Sequence, residues 1–170
     1  MTFASASFCK SREGVRYKPT SMPSVAAPGA VRDFPRGVPG VPTFFDHIDA
    51  RFCGDVMPFS GSKVAAVAAW VRLHETDANE EIDAPLAAFL LDTLPPAVGA
   101  TFGRPRPLAT VDMTVHFFER FADVAWKASD FHLVSITSRW ADDGYAEELR
   151  DLWSPTGQLL AQARELIALL

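Results

Sequence analysis

Twenty residues, Ala84 to Gly103 (APLAAFLLDTLPPAVGATFG), carry a single charge between them, on Asp92. A stretch this apolar must be enclosed, and its carboxylate and the Pro95-Pro96 pair make it a poor bilayer span. Asp83 is placed to cap a helix, with Pro85 tolerated in its first turn. Leu86, Phe89, Leu90 and Leu94 follow at helical spacing, and Ala87, Ala88 and Leu91 fill the other faces. The predicted helix is apolar nearly all round, so it should be buried, and Pro95-Pro96 should stop it.

The segments around that helix read as strands. Residues 43–53 and 63–73 are predicted as the first two, separated from the helix by the charged loop DANEEID. Leu108 to Phe118 alternates, with Val111, Met113, Val115 and Phe117 on one face and Thr110, Asp112, Thr114 and His116 on the other. Residues 131–140 form the next strand, ended by the turn Ala141-Asp142-Asp143-Gly144. Tyr145 to Trp153 pairs back, Ser154-Pro155-Thr156-Gly157 turns, and Gln158 to Leu169 closes the sheet. The expected architecture is α+β: two strands, one central helix, then four antiparallel strands in a meander wrapped around it.

The N-terminal part has a different texture. Residues 1–50 hold six Lys/Arg against four Asp/Glu, whereas residues 51–170 hold ten against seventeen. Between Pro19 and Pro42 lie six prolines with Gly29, Gly37 and Gly40, which reads as a linker over residues 10–42. Ahead of it, Thr2 to Cys9 alternates like one short strand, and a single strand cannot fold alone. The expected organisation is therefore a strand left from a preceding repeat (1–9), a linker (10–42) and one domain (43–170). No export signal or membrane span is visible, and two cysteines without a disulfide framework fit a soluble protein of the reducing cytosol. A net charge of −5 argues against nucleic acid as a partner.

The order of elements, together with FFDHIDARF (44–52), AAWVRL (68–73), FLLDTLPPAV (89–98), ATVDMTVHFFERF (109–121) and residues 133–167, resembles the hotdog fold. More closely, it is similar to the C-terminal half of the double-hotdog acyl-CoA thioesterases. The strand at 1–9 and the linker then resemble the end of a first hotdog, most of which the sequence does not contain. The resemblance implies hydrolysis of a fatty acyl-CoA by activated water, with no covalent intermediate, no metal and no cofactor. It implies a catalytic trio of a helix Asp, a Thr or Ser opening the next strand, and a Gln on the last strand. The matching positions are Asp92, Thr110 and Glu165, the last a departure because this chain has Arg164-Glu165 where the family resembles Arg-Gln.

Asp92 also stands out on its own, because an unpaired buried carboxylate costs several kcal/mol and a helix's last turn disfavours negative charge. The plainer reading is a surface corner. Glu165 shares a strand face with Leu159, Ala161, Ala163, Ile167 and Leu169, and the plainer reading is a solvated residue paired with Arg164 or Arg150. If Asp92 and Glu165 share a site, one of them should have a raised pKa. An ionised carboxylate only accepts hydrogen bonds, whereas an amide also donates, so Glu165 is either a second base or a disruption. Thr110 without the resemblance is an ordinary strand residue.

The remaining polar residues give weaker signals. His47, His74, His116 and His132 lack metal-ligand spacing, and Cys53 reads as core. Phe44, Phe45, Phe59, Phe89, Phe102 and Trp70 serve a core or an acyl tunnel. Arg104 and Arg106 are candidates for CoA phosphates, with a solvated loop slightly preferred, and the helix start at Asp83–Leu86 is a candidate for anion stabilisation. No nucleophile elbow or phosphate loop is present. An isolated hotdog leaves a sheet edge open, so a homodimer or pairing with a separate first half is expected. Three classes compete: an acyl-CoA hydrolase, a non-catalytic acyl-binding scaffold, and a hydratase. The last ranks third because residues 75–115 contain no histidine.

Overall fold

A computed structural model describes residues 3–10, 12–74 and 80–170. The polypeptide forms one antiparallel sheet curled around one short helix: β1 (Ile48–Cys53), β2 (Ala66–Leu73), α1 (Ala84–Leu91), β3 (Leu108–Phe117), β4 (His132–Asp142), β5 (Tyr145–Trp153) and β6 (Leu159–Leu169). The strand order is β1-β2-β4-β5-β6-β3. The predicted four-strand meander is thus corrected. Of these four, only β4, β5 and β6 follow one another, while β3 crosses to the far side of β6 and becomes one edge of the sheet, β1 being the other. Part of the DANEEID loop lies outside the described residues.

The helix forms where its capping signals place it. The Asp83 carboxylate accepts a hydrogen bond from Leu86 N at 2.8 Å, and Pro85 occupies the first turn, where no N–H is needed. Ala87, Leu90 and Leu91 are fully enclosed against the concave face of the sheet, on Val134, Ile136, Leu152, Ala161 and Ala163. The helix is not buried all round, however. Pro85, Phe89 and Asp92 fall on one helical stripe and remain exposed, because none of the described residues covers that side.

Three strand boundaries differ from the sequence reading: β2 begins at Ala66, not residue 63, and two others shift for local reasons. Thr43–His47 is a 3-10 turn that begins after Pro42, so β1 starts only at Ile48. The turn between β4 and β5 uses Asp143 (φ 49°) and Gly144 (φ 78°), both left-handed, as a tight two-residue hairpin requires.

Residues 3–10 form no strand, and Phe3 and Phe8 are exposed. With no neighbouring strand to pair with, the alternating pattern there finds no ladder. The proline-rich segment is irregular, yet it is docked rather than free. Met22, Val25 and Val31 cover Trp70, Leu133 and Trp153 on the convex face of the sheet, joined there by the buried Cys53. Trp70 Nε1 donates to Ala26 O at 2.8 Å, and Phe34 N donates to Ala50 O at 2.7 Å. Arg36 and Arg72 both reach the Asp49 carboxylate and hold it below its ordinary value against the effect of burial. Among the described residues no helix is long and apolar enough to cross a membrane.

Candidate functional site

The concave face of β5 and β6 is apolar except at three positions. On β5 the inward positions are Ala146, Glu148, Arg150 and Leu152, and on β6 they are Ala161, Ala163, Glu165 and Ile167. The two-residue side-chain period thus carries three charged side chains into the core beneath the end of α1. Glu148 and Glu165 are directly opposed across the two strands. Each is buried, and so is Arg150.

Arg150 holds the cluster together. Nη1 donates to the backbone carbonyls of Leu91 (2.9 Å) and Leu94 (3.0 Å), the unsatisfied acceptors at the helix end. Nη2 donates to Glu148 Oε2 at 3.2 Å, and Val98 N donates to the other oxygen of Glu148 at 3.1 Å. Nε lies 2.9 Å from Glu165 Oε1, but the N–H does not point along that line. The contact is therefore an ion contact, and neither oxygen of Glu165 receives an aligned hydrogen bond among the described residues.

This arrangement sets the acidities. Burial raises Glu148 above its ordinary value, opposed by Arg150 and by backbone N–H groups. Glu165, with fewer compensating donors, is pushed up to about 7. Burial is the main cause; Arg150 opposes it, and the charges of Asp92, Glu148 and Asp112 add to it. Glu165 therefore keeps its proton well above the ordinary glutamate range. A protonated carboxyl presents one donor and one acceptor, the same pair of functions as a glutamine amide.

Asp92 caps the C-terminal end of α1 and is not the enclosed carboxylate expected from the sequence. Its side chain is 52% exposed, because the helix ends at Leu91 and the open stripe passes through it. Its inner side still faces the cluster: Oδ1 lies 4.0 Å from Arg150 Nη1. Desolvation on that side raises its pKa, and Arg150 partly offsets the rise. Asp92 and Glu165 are thus brought to one guanidinium from opposite sides, one wet and one dry.

Thr110 reaches the same face through an irregularity. The β3–β6 register pairs Thr110 with Ile167 and Met113 with Glu165, with a bulge between Thr110 and Asp112. The bulge inserts one residue, so the alternation changes phase at Val111 and Thr110 turns to the side of Ile167 and Glu165. The strict alternation read from the sequence placed Thr110 on the opposite, polar face with His116. That placement is corrected for Thr110, whereas His116, opposite Gln162, does lie on the convex side. Thr110 is exposed on the edge strand.

The other candidates separate cleanly. His47 ends the 3-10 turn, and its carbonyl accepts from His74 N. The helix start is occupied by its own Asp83 cap, which takes the Leu86 N–H proposed for an anion. Arg104 and Arg106 line a shallow surface depression beside Phe102 and Gly103, with Arg106 over the Phe102 ring. Phe45 and Trp70 are core, while Phe44 and Phe89 are partly exposed and meet edge to face at 6.3 Å beside the open helix stripe. Among the described residues no group of His, Cys, Asp and Glu is arranged to hold a metal. Sequence reasoning missed the central role of Arg150 and Glu148. The available signal was their i, i+2 spacing in a strand whose other inward positions are Ala146 and Leu152.

Comparison with known proteins agrees with this architecture. The family described as acyl-CoA thioesterase C-terminal domain matches residues 19–169, so it includes most of the docked N-terminal segment. A hotdog-fold protein from Alicyclobacillus acidocaldarius superposes with a TM-score of 0.78 at 24% identity, over 94% of this chain and 58% of that one. An acyl-CoA thioesterase II from Mycobacterium marinum gives 0.68 at 17% identity, over 94% and 59%. Thioesterase superfamily member 2 of zebra fish gives 0.54 at 19% identity, over 79% of this chain and 89% of that one. The chain thus spans less than three fifths of the first two proteins and most of the third. At these identities the structural likeness shows the hotdog fold alone. No curated protein matches the sequence.

Proposed function

Given that the chain belongs to the acyl-CoA thioesterase C-terminal domain family, we propose that it forms one half of an acyl-CoA hydrolase whose site lies between Asp92, Thr110 and Glu165. The observation that carries this reading is the pair of carboxyls on Arg150. Asp92 is half exposed at the end of α1, beside the open stripe through Phe89, whereas Glu165 is enclosed and able to keep a proton.

The roles follow from the acidities. Asp92 is the general base that takes a proton from a water molecule in the open side of the site. The resulting hydroxide adds to the thioester carbonyl, and collapse of the tetrahedral intermediate breaks the C–S bond. The proton taken up by Asp92 passes to the departing CoA thiolate, which restores the Asp92 carboxylate and leaves a free carboxylic acid and a free thiol. Glu165 in its protonated form donates a hydrogen bond toward the attacking water or the carbonyl, as the amide of a glutamine would. Thr110 supplies a hydroxyl from the edge strand. No metal or covalent acyl-enzyme enters this scheme.

The open rim also bears on assembly. Edge strand β3 presents ten residues with one side of its backbone unpaired and Val111 exposed, and the helix stripe through Phe89 is also uncovered among the described residues. Pairing with a second copy, or with a separately encoded first hotdog, closes the site from that side. Under this reading residues 10–42 are the bridge between two hotdog repeats, residues 1–9 belong to the end of the first, and the protein works in the cytosol. The alternative is a non-catalytic acyl-binding hotdog, favoured if Glu165 disrupts rather than replaces the amide. The purified protein incubated with acyl-CoA esters of increasing chain length, with free thiol as the readout, decides between them. Thiol release supports hydrolysis, and acyl-CoA binding without release supports the scaffold.

A further inference from the structure

Two acids and one base are enclosed together on β5 and β6, and the distribution of donors among them is uneven. Glu148 has a hydrogen bond to each oxygen, from Val98 N and Arg150 Nη2, while among the described residues Glu165 has only the misaligned Nε contact. Arg150 also closes the end of α1 through Leu91 O and Leu94 O, the residues that bracket Asp92. One side chain therefore fixes the height of the helix end above the sheet, and with it the separation of Asp92 from Glu165. We propose that Arg150 is a positioning residue for the thioester site, and that its guanidinium is what allows β6 to carry an acid, in place of an amide, at position 165. The inference rests on the hydrolytic reading above for its kinetic consequence, but not for its electrostatic one.

The charged groups that act on Glu165 are Arg150 and Glu148 from β5 and Asp92 from the end of α1, with Asp112 of β3, opposite Leu166 on the other face of the sheet, acting from farther off. Arg150 is the sole cation among them, and it is enclosed, so solvent does not screen its effect. Removing its charge leaves Glu165 facing acids alone and strengthens its hold on the proton. Replacing its planar fork by the point charge of lysine keeps a cation nearby, but cannot bridge two carbonyls and two carboxylates at once.

The test combines titration of the glutamate side-chain carboxyl carbons by NMR with pH profiles of kcat and KM for acyl-CoA hydrolysis. Wild type, R150M and R150K are compared, with R150Q as a milder neutral variant should R150M fail to fold. The expected result is that the Glu165 signal, identified by its loss in E165Q, moves to higher pH by roughly one unit or more without the Arg150 charge. In R150K kcat falls by on the order of tenfold, with KM little changed, because the carboxyls are displaced rather than the acyl-CoA surface. Glu165 titrating at the same pH with and without the guanidinium overturns the proposal. So does an R150K enzyme whose kcat and pH profile match wild type. A shifted titration in a protein that hydrolyses no acyl-CoA removes the hydrolytic reading while upholding the electrostatic role of Arg150.

Discussion

Glu148 and Glu165 stand directly opposite each other on adjacent strands, both enclosed, with a single guanidinium to serve them. Opposed like charges weaken a sheet. The cluster relieves this by keeping a proton on Glu165, whose pKa rises from 4.5 to about 7. The first prediction concerns stability. Between those two pH values the unfolded chain is ionised at this position and the folded chain is not, so the folded state binds more protons and stability falls as pH rises; above about 7 the contribution is constant. E165Q removes that slope. Its gain at pH 8 is up to about 3 kcal/mol, less whatever the contact with Arg150 contributes. Urea titrations of both proteins at pH 5 and pH 8 measure it, and a stability gap independent of pH would count against the raised acidity.

The same proton governs activity. If protonated Glu165 supplies the donor, kcat declines as pH passes about 7, and the decline is absent in E165Q, which retains hydrolysis. A pH profile of E165Q with the same alkaline fall as wild type would place that ionisation on another group.

Thr110 projects from an edge strand and packs little, so T110V changes stability by no more than about 0.5 kcal/mol. Its kcat on acyl-CoA falls by on the order of tenfold, a loss of one hydroxyl contact. Calorimetry beside steady-state kinetics separates the two effects.

Pairing is tested at the exposed apolar position on β3. V111K places a charge on the free edge and reduces self-association without unfolding the chain, which sedimentation or scattering reads as a fall in mass. A wild-type protein that is already monomeric at all concentrations, in the absence of another hotdog chain, would exclude the homodimer.

The docked N-terminal segment contributes to stability. Phe34 meets Phe45 and Phe52 edge to face at 5.4 and 5.7 Å, so F34A costs about 2 kcal/mol by denaturant titration. A free linker would show no change.

The helix, its Asp83 cap and its surrounding strands were legible because capping chemistry and period-two patterning are local. The inward face of β6 was equally readable, since Glu165 interrupts a run of small and apolar residues. Strand order was not, because nothing local to β3 says whether it pairs with β4 or β6. The bulge at Val111 was invisible for a related reason: an inserted residue leaves each half of the strand alternating normally and changes only their relative phase, which is why Thr110 was assigned to the wrong face. Its apolar neighbours make Asp92 read as enclosed, but the helix stripe through Pro85 and Phe89 stays open among the described residues. Arg150 was weighed only as a solvent-side partner of Glu165, and its burial emerges from the cross-strand register with Ala163. The linker reading followed composition, and composition does not show that Met22, Val25 and Val31 find an apolar sheet face to cover.

The central claim is that the Asp92 carboxylate activates water against a thioester. The direct measurement is free-thiol release from a panel of acyl-CoA esters by wild type and by D92N, with binding of the same esters followed in parallel. The account predicts turnover by wild type and a loss in D92N of at least about a hundredfold in kcat with binding retained. Equal turnover by the two proteins, or acyl-CoA binding by wild type with no thiol released at any chain length, would contradict it.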